Sequence, residues 1–485
     1  MKPITAVVPF LSKVSTGEVI KQLESSRLIE RIFTYSSSSQ ADDFKTDFNF
    51  KNILASDSIK EIAKRVQTEY LLFQFQPFEV ELQKFALERM LFAASQTFSA
   101  IVYSDCLISK REEIQQHPKI DYQLGSIRDD FDFGPLVLIN SKLLLEVSET
   151  IPESYEFAGF YDLRLRLSEV GYILHLPEFL YTIKEPGLLK SGERQFDYVN
   201  PSNRSVQIEM EKAATDHLKR IHASVEPAYK EIDLINKNDF AVEASIIIPV
   251  KNRATTIKDA VKSAIMQKTD FEYNVIVVDN YSTDGTTAFL RQAAEKHKNV
   301  IHIIPESKNL MIGGCWNEAL HNKACGRFAV QLDSDDVYKD EKTLQKIIDT
   351  FKKEKCAMVV GSYTLTDFDL NEIPPGLINH KEWTDDNGAN NALRVNGLGA
   401  PRAFYTPLLR EINIPNVSYG EDYFLGITIS REYKIGRIYD SIYYCRRWEG
   451  NTDTALDIYK TNANNSYKDR LRTIEILSRQ RINNK

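Results

Sequence analysis

A chain of 485 residues is too long for one compact core, so its length predicts two or three domains. Hydrophobic residues make up 42% and charged residues 27%, which is ordinary for a soluble globular protein, and the formal net charge is −7. This acidic balance argues against a nucleic-acid partner, because no surplus of basic side chains is available to neutralise phosphates.

The cysteine pattern and the lengths of the apolar runs indicate in which cellular compartment the protein is expected. Five scattered cysteines without a CxxC pair predict neither a disulfide framework nor a zinc site. No apolar run reaches transmembrane length, and the N-terminus lacks the basic and apolar segments of a signal peptide. We therefore expect a cytoplasmic protein with no membrane span, and peripheral association with the inner face of the membrane stays open.

The first half of the chain predicts strands that alternate with helices, and hence a mostly parallel α/β sheet. A loop is predicted at the serine run 36–39. The predicted strands are residues 4–10, 29–35, 70–73 and 100–103, and the predicted helices are residues 18–26 and 80–98.

Residues 186–242 predict a linker, because glycines and the polar run 200–203 interrupt the pattern. Within it, residues 205–221 carry apolar side chains at helical spacing, which predicts an amphipathic helix packed between two lobes. The predicted domains are residues 1–185, the linker 186–242, and residues 243–485 with a helical C-terminal tail.

The second half repeats the alternation of strands and helices. Residues 367–401 are predicted to be irregular, and a loop that long inside a compact domain points to function. The predicted strands are residues 244–250, 274–278, 300–304, 328–332, 357–361 and 441–444, and the predicted helices are residues 255–265, 286–297, 314–323 and 341–353.

The chain also resembles itself in four segments that occur in the same order in both halves. Chance similarity between β-rich strands explains a single match better than four in order, so we predict a tandem duplication of one fold. The matched segments are 5–9 with 245–249, 70–73 with 328–331, 100–104 with 357–362, and 160–165 with 420–425.

The strongest chemical signal is the run Asp333-Ser334-Asp335-Asp336, directly after the predicted strand 328–332. Carboxylates at alternate positions after a strand can turn towards one point, and Mg²⁺ and Mn²⁺ take oxygen ligands and bridge phosphate oxygens. The run therefore predicts a metal–diphosphate site. Taken alone, a solvated acidic turn before the next helix explains it equally well.

Polar groups also follow other predicted elements, at the edge where a parallel α/β sheet binds its ligands. Asp279 could accept from the imide N–H of uracil or guanine, or cap the following turn, for which Asp284 is the better candidate. The pair Glu421-Asp422 at a helix start could present a general base or only complement the helix dipole. One of the adjacent arginines Arg446 and Arg447 could clamp a leaving diphosphate or end in solvent.

Together the segments 246–253, 279–285, 333–336 and 421–422 resemble a family 2 glycosyltransferase with the GT-A fold, over roughly residues 243–450 and more weakly over 1–185. The resemblance implies two Rossmann-like α/β domains in tandem, joined by the helical linker. It implies an inverting enzyme of surface polysaccharide biosynthesis that moves a sugar from a nucleotide-diphosphate sugar, with a UDP-sugar expected, to a hydroxyl of a glycan or glycolipid.

The resemblance also assigns roles to residues. It implies that Asp422, with Glu421 beside it, is the general base, and that Asp335 and Asp333 hold Mn²⁺ or Mg²⁺. Trp448 stands in the region where many relatives have a histidine, which leaves a third protein ligand of the metal open. The implied residues of the nucleotide-sugar site are Pro249, Val250, Asn252, Arg253, Asp279, Asn309, Asn317, Asp333, Ser334 and Arg447.

The first half is predicted to be a degenerate, non-catalytic copy. At the place that matches Asp333–Asp335 it has Gln74-Phe75-Gln76-Pro77, so no carboxylate is left to hold a metal. Asp162 matches Asp422, but a pairing with Arg164 or Arg166 explains it as well.

Two other functions stay open. A nucleotide-sugar or glycan-binding module without turnover would share the same pocket. A nucleotidyltransferase would carry a glycine-rich phosphate loop with a basic residue early in the chain, and none is found. A hydride-transfer enzyme is disfavoured, because no G-x-G-x-x-G follows the first or second strand.

Overall fold

The computed structural model describes seven stretches of the chain and divides it into two compact units. The N-terminal unit comprises Met1–Ser224 together with Leu456–Lys485, and the C-terminal unit comprises Val225–Ala455. The described residues are 2–37, 46–110, 113–152, 154–184, 204–234, 240–448 and 456–484.

Within these ranges the chain forms 18 strands and 14 helices. The strands are β1 Ile4–Pro9, β2 Ile29–Ser37, β3 Phe48–Phe50, β4 Tyr70–Gln74, β5 Glu79–Leu82, β6 Ile101–Lys110, β7 Glu113–His117, β8 Leu136–Asn140, β9 Ile173–Lys184, β10 Ala244–Val250, β11 Tyr273–Asp279, β12 Val300–Ile303, β13 Phe328–Gln331, β14 Val337–Tyr338, β15 Met358–Thr366, β16 Glu372–Ile378, β17 Arg402–Tyr405 and β18 Ile435–Arg446. The helices are α1 Lys13–Glu24, α2 Ser56–Arg65, α3 Ala86–Thr97, α4 Ser141–Glu149, α5 Gly159–Val170, α6 Arg204–Arg220, α7 Ile257–Ile265, α8 Thr286–Lys296, α9 Ile312–Leu320, α10 Thr343–Glu354, α11 Gly388–Asn391, α12 Thr406–Ile412, α13 Glu421–Ser430 and α14 Ile458–Asn483.

Each unit contains one nine-stranded mixed sheet, and the two sheets have the same topology. The first has the order β3-β2-β1-β4-β8-β6-β9-β5, with β7 paired to β6. The second has the order β12-β11-β10-β13-β17-β15-β18-β14, with β16 paired to β15. Every strand of the first sheet thus corresponds to the strand numbered nine higher. The four repeated sequence segments lie on corresponding elements, so the predicted tandem of two like α/β domains is confirmed.

The central parallel strands of both sheets are continuous apolar runs, because a strand covered on both faces needs no alternation of polar side chains. Strand β10 lies between β11 and β13, and both pairings are parallel. The carboxyl ends of these three strands therefore meet at one edge of the C-terminal sheet, next to the antiparallel strand β17. This edge is where the candidate site lies.

Three predicted elements were wrong in part. The predicted helix 80–98 begins only at Ala86, because residues Glu79–Leu82 pair antiparallel with β9 as a strand. The predicted irregular stretch 367–401 contains β16 and α11. Of the predicted loop 36–39, residues 36 and 37 belong to β2, and residues 38–39 lie outside the described residues.

The predicted C-terminal tail of the second domain belongs to the N-terminal unit. The fully buried Asp469 of α14 accepts a hydrogen bond from the Ser126 hydroxyl at 2.8 Å. It also pairs with Arg472 at 2.7 Å and with Arg128 at 3.3 Å. Apolar periodicity does not reveal such a polar docking surface, so the sequence assigned α14 to its neighbour in the chain.

The predicted linker helix is α6, and it belongs to the N-terminal unit. Within this unit it contacts α5 and the loop before α5. Its His217 bonds Glu169 at 2.7 Å. Its Glu209 carboxylate accepts the backbone N–H groups of residues 156–158 at 2.7 to 3.1 Å. Residues 185–203 of the predicted linker lie outside the described residues.

Within the described ranges, no helix combines the length and the apolar character needed to cross a membrane.

The buried ion pairs of Asp469 make the stability of the N-terminal unit testable. Asp469→Ala leaves the buried guanidinium groups of Arg128 and Arg472 without this carboxylate, and we expect a loss of about 3–5 kcal/mol in the free energy of unfolding. The exposed pair Lys142–Glu146 is the control, since Glu146→Ala should cost less than about 1 kcal/mol. Urea unfolding of both variants checks this, and equal losses would contradict it.

Candidate functional site

Five carboxylates of the C-terminal unit come together at the ends of β13 and at the start of α13. We call this set, Asp333, Asp335, Asp336, Glu421 and Asp422, the acidic corner. Each of Asp333, Asp336 and Glu421 is under the electrostatic influence of other members of the set. The structure therefore brings together the acidic residues that the sequence predicted separately.

Burial is the first cause of the unusual protonation behaviour of this corner. It raises the pKa of Asp333, and the neighbouring charges of Asp335 and Asp422 raise that pKa further, against the opposing effect of Arg402. Burial and the charges of Asp333 and Asp335 raise the pKa of Asp336 well above its usual value. Asp336 accepts the backbone N–H of Arg446 at 2.8 Å, so its role is to join the acidic turn to β18.

Asp335 lies between an indole and a guanidinium group. Trp448 donates its indole N–H to the Asp335 carboxylate at 3.4 Å, and Arg253 approaches the same oxygen at 3.8 Å. The backbone carbonyl of Asp335 accepts the Nε–H of Arg446 at 2.5 Å. Arg446 is buried and also pairs with Asp259 at 2.9 Å, so it braces the acidic turn.

The start of α13 presents the other two carboxylates. Gly420 has a φ of 85°, a left-handed conformation that favours glycine, and it turns the chain into the helix. The side chain of Asp422 is 31% exposed and pairs with Arg402 at 2.8 Å. Burial, followed by the charge of Asp422, raises the pKa of Glu421 to about 8, and its buried Oε2 has no hydrogen-bond partner within the described structure.

Arg402 and Gln331 connect the two parts of the acidic corner. The Arg402 backbone N–H donates to Oε1 of Gln331 at 3.1 Å, and the Gln331 amide donates to both carboxylate oxygens of Asp333 at 2.9 and 3.0 Å. Burial alone would lower the pKa of Arg402, but Asp422, Asp333 and Glu421 hold it above its usual value. Arg402 is thus a half-buried cation among these carboxylates.

Asp279 and Asp284 both hold the turn after β11. The fully buried Asp279 accepts from the Ser282 N–H at 3.0 Å and the Thr287 hydroxyl at 2.5 Å. Burial alone would raise the pKa of Asp279, but hydrogen bonds from His302, Thr287 and Ser282 hold it below its usual value. Asp284 accepts from the Ala254 N–H at 2.9 Å, which ties this turn to the segment after β10.

The segment after β10 reaches the same turn through Asn252. Its backbone has a φ of 53°, and its side-chain oxygen accepts the Thr283 N–H at 2.7 Å. Pro249 and Val250 are the last two residues of β10, and Val250 pairs in register with Asp279. The predicted nucleoside pocket residues of β10 and β11 therefore lie side by side.

The remaining predicted donor-site residues lie on separate segments of the C-terminal unit. The Asn317 amide is committed to the backbone of Ile414, at 2.8 and 3.0 Å. The Asn309 carbonyl accepts from Asn416 at 3.1 Å. Ser334 is buried inside the acidic turn, and Arg447 donates its backbone N–H to Thr366 at 2.7 Å while its side chain is half-buried.

The acidic corner fits a divalent cation that arrives with a diphosphate. Among the described residues, no group of three or more His, Cys, Asp or Glu side chains could hold a metal ion by itself. Mg²⁺ usually needs only one or two protein carboxylates together with substrate phosphates. Burial, followed by the charges of Asp335 and Asp422, raises the pKa of Asp333, and a cation bound beside it would favour the ionised form.

The C-terminal unit matches a known protein family. Residues 245–411 match the family described as glycosyl transferase family 2. The C-terminal unit contains a family 2 glycosyltransferase domain. This confirms the resemblance that the sequence motifs carried.

Two curated relatives of this chain are named as glycosyltransferases of particular polymers. The chain is 35% identical over 121 residues to the putative teichuronic acid biosynthesis glycosyltransferase TuaG of Bacillus subtilis, which covers 25% of this chain and 46% of that protein. It is 28% identical over 174 residues to a poly(ribitol-phosphate) beta-glucosyltransferase of Bacillus spizizenii, which covers 36% of this chain and 26% of that protein. The chain spans less than half the length of these relatives.

Two solved structures resemble the chain. One is S. aureus TarS 1–349 in complex with UDP-GlcNAc, with a TM-score of 0.38, 22% identity, and coverage of 49% of this chain and 72% of that chain. The other is the mannosyltransferase PcManGT from Pyrobaculum calidifontis in complex with GDP-Man and Mn²⁺, with a TM-score of 0.34, 15% identity, and coverage of 57% and 84%. The fold described above rests on strand order and not on these scores.

Sequence reasoning missed several residues of the family 2 domain site. Gln331 and His302 lie inside apolar strands, where a single polar residue resembles an ordinary strand position. Arg402 follows a stretch that contains Gly397 and Gly399, and its sequence context gives no sign of a cluster of charges. Since Arg402 begins a strand that pairs with β13, only knowledge of that pairing could have placed it beside Asp333 and Asp422.

The N-terminal copy has other residues at the positions that match the acidic corner. Its Phe73 pairs in register with Val137, where the family 2 domain has Gln331 next to Arg402. The rings of Phe73, Phe75 and Phe160 pack together with centroid distances of 4.6 to 5.9 Å. Phe75 lies in the stretch that matches Asp333–Asp335, so aromatic side chains fill this edge of the first sheet.

Asp162, the counterpart of Asp422, is fully buried in the N-terminal copy. It pairs with Arg166 at 2.7 Å, which confirms one of the two pairings expected for it. Arg164 instead donates to the backbone carbonyls of Ser126, at 3.0 Å, and Arg128. A carboxylate enclosed in this way serves the packing of α5.

The raised pKa of Glu421 predicts a pH-dependent stability. Between the ordinary glutamate pKa of 4.5 and about 8, the unfolded chain releases this proton while the folded chain keeps it, so the stability falls as pH rises. Glu421→Gln should therefore match the wild type near pH 4 and melt at an increasingly higher temperature than the wild type up to pH 8.

Thermal melts across this pH range test the prediction, with Glu411→Gln as the control at an exposed position of α12. The control should differ from the wild type by the same amount at every pH. A Glu421→Gln difference that is equally constant would show that the glutamate is already ionised in the folded protein.

Proposed function

We propose that this protein is an inverting glycosyltransferase. It transfers a sugar from a nucleotide-diphosphate sugar, with uridine as the favoured nucleoside, to a hydroxyl group of a cell-wall polysaccharide acceptor. The single observation that carries the proposal is the acidic corner of the family 2 domain. It joins a charge-rich turn at the carboxyl ends of parallel strands to a partly exposed carboxylate, Asp422.

The donor side is formed by β10, β11 and the acidic turn. In this proposal the segment Pro249–Arg253 and Asp279 line the nucleoside pocket, and Asp333 contributes to binding the ribose. A divalent cation, Mn²⁺ or Mg²⁺, would be held by Asp335 and Asp333 and would supply charge neutralisation for the diphosphate. Arg447 is the cation on the β18 side that binds the leaving diphosphate.

The acceptor side is formed by Asp422. Its carboxylate accepts the proton of the acceptor hydroxyl while that oxygen forms a bond to the anomeric carbon of the sugar. The bond from this carbon to the diphosphate oxygen breaks on the opposite face, so the configuration is inverted and the nucleoside diphosphate leaves with the bonding electrons. Asp422 suits this role because it is ordered by Arg402 and yet accessible.

The acceptor class rests on the names of the relatives. One is named for teichuronic acid biosynthesis and the other for poly(ribitol-phosphate). These names support a polysaccharide or polyol-phosphate chain as the acceptor of this protein.

A binding module without turnover would bind the same ligands as the enzyme, but it would not form a product. An enzyme releases free nucleoside diphosphate when it is given a sugar nucleotide, and a binding module does not. The accessible carboxylate of Asp422 favours the enzyme, because a module that only binds the donor has no need for a base on the acceptor side.

A thermal-shift screen of nucleoside diphosphates with and without Mn²⁺ tests the donor site. We expect UDP to raise the melting temperature more than GDP, ADP or CDP, and only when Mn²⁺ is present. Asp335→Asn should abolish this Mn²⁺-dependent increase, because the variant loses a carboxylate proposed to hold the ion. Equal shifts for the variant and the wild type would rule out Asp335 as a metal ligand.

The role of Asp422 is tested by Asp422→Asn. The amide keeps the shape of the side chain but cannot take a proton, so we expect a rate loss of about 10²–10⁴-fold at an unchanged UDP affinity. Asp440→Asn, at an exposed position of β18, is the matched control and should turn over normally. Retained turnover in Asp422→Asn would remove that residue from the role of base.

A further inference from the structure

The carboxylate of Asp422 is held from two directions. Its Oδ1 accepts a hydrogen bond from the backbone N–H of Tyr423 at 2.7 Å, and its Oδ2 forms an ion pair with Nη1 of Arg402 at 2.8 Å. Contacts on two different oxygens restrict the orientation of a carboxylate as well as its position. The side chain is still 31% exposed, so a hydroxyl group can reach it.

Arg402 is itself held by two hydrogen bonds. Its Nη1 also donates to the backbone carbonyl of Gly399 at 2.7 Å, and its own backbone N–H donates to the side-chain oxygen of Gln331 at 3.1 Å. Gln331 is buried at the end of β13, and its amide donates to both oxygens of Asp333. Hydrogen bonds from Asp333 through Gln331 to Arg402, and then the ion pair with Asp422, therefore connect the donor-side carboxylate to the acceptor-side carboxylate.

We propose that Arg402 is the positioning residue of the family 2 domain, and that through Gln331 it sets the placement of Asp422 relative to Asp333. This inference rests on the proposed function and deepens it. Arg402 touches neither the donor nor the acceptor. It acts through Asp422, by holding the base at a fixed place on the same pair of strands that carries the donor site.

The N-terminal copy of the fold supports this assignment. It retains the strand pairing, since β4 and β8 correspond to β13 and β17. At the paired positions it has the apolar residues Phe73 and Val137 in place of Gln331 and Arg402. The fold therefore needs neither the glutamine nor the arginine, and both occur in the copy that has the acidic corner.

A second arginine of the C-terminal unit provides a control, because it supports the same loop as Arg402 but does not contact Asp422. Arg437 donates to the carbonyl of Leu398 at 3.3 Å, directly next to the Gly399 carbonyl that Arg402 holds. The carboxyl group that acts on it is Glu382, outside the acidic corner. Arg437→Met removes a support of the same chain segment and leaves the pairing of Asp422 intact.

The first experiment compares the kinetics of Arg402→Met, Arg402→Lys and Arg437→Met. A misplaced base costs on the order of 10²-fold in rate, so we expect Arg402→Met to lower kcat by about that factor while the donor KM and the UDP affinity in Mn²⁺ change little. Arg402→Lys should restore part of kcat because it keeps the charge, and Arg437→Met should stay close to the wild type. Equal losses in Arg402→Met and Arg437→Met, or no rescue by lysine, would overturn the proposal.

A second experiment needs no turnover and separates this inference from the proposed function. A double-mutant cycle of Arg402→Met and Asp422→Asn, read by urea unfolding at pH 7, measures the coupling of the two side chains. We expect clear non-additivity for this cycle and additivity for Arg437→Met with Asp422→Asn. An additive Arg402–Asp422 cycle overturns the proposal, whereas a coupled pair in a protein without turnover refutes only the proposed function.

Discussion

The constraint on which the C-terminal unit depends is the crowding of negative charge at one edge of its sheet. Five carboxylates meet where β13 ends and α13 begins; Asp336 is buried and the other four are partly buried. Like charges in a poorly solvated place repel strongly, so such a cluster needs protonation, hydrogen bonds or a cation to offset the repulsion. Burial raises the pKa of Asp333, Asp336 and Glu421, Gln331 donates hydrogen bonds to Asp333, and Arg402 forms an ion pair with Asp422.

The same topology without this charge is present in the N-terminal unit. There the corresponding edge holds packed phenylalanine rings, and Asp162, the counterpart of Asp422, is buried in an ion pair with Arg166. The two copies share the nine-stranded arrangement and its apolar strands, and they differ in a few residues at strand ends. In the N-terminal unit, buried ionic contacts also attach α14, the last helix of the chain.

The parts of the fold that were predictable from the sequence were those that depend on local pattern. The apolar runs at residues 244–250 and 274–278 correctly predicted strands. The four repeated segments correctly predicted two domains of like fold in tandem. The acidic residues of the site were also predictable, because carboxylates directly after buried strands are unusual. Strand β5 was not, since Glu79–Leu82 pairs with a strand about a hundred residues away.

The connections between site residues were not predictable either. Gln331 and Arg402 are ordinary in sequence, and their importance arises only when β13 and β17 pair. Asp279 was expected to contact the base, and the structure adds three hydrogen bonds within the protein to that carboxylate, one of them from His302 on a neighbouring strand. Contacts across strands depend on register, and one sequence contains no direct record of register.

Anomalous diffraction at the manganese edge, from crystals soaked with MnCl₂ and UDP, tests whether the acidic corner binds a cation together with a diphosphate. If it does, we expect one strong peak within coordination distance of the Asp335 carboxylate and of both phosphates. UDP bound in the pocket without a manganese peak at Asp335, or manganese bound only elsewhere on the surface, would contradict it.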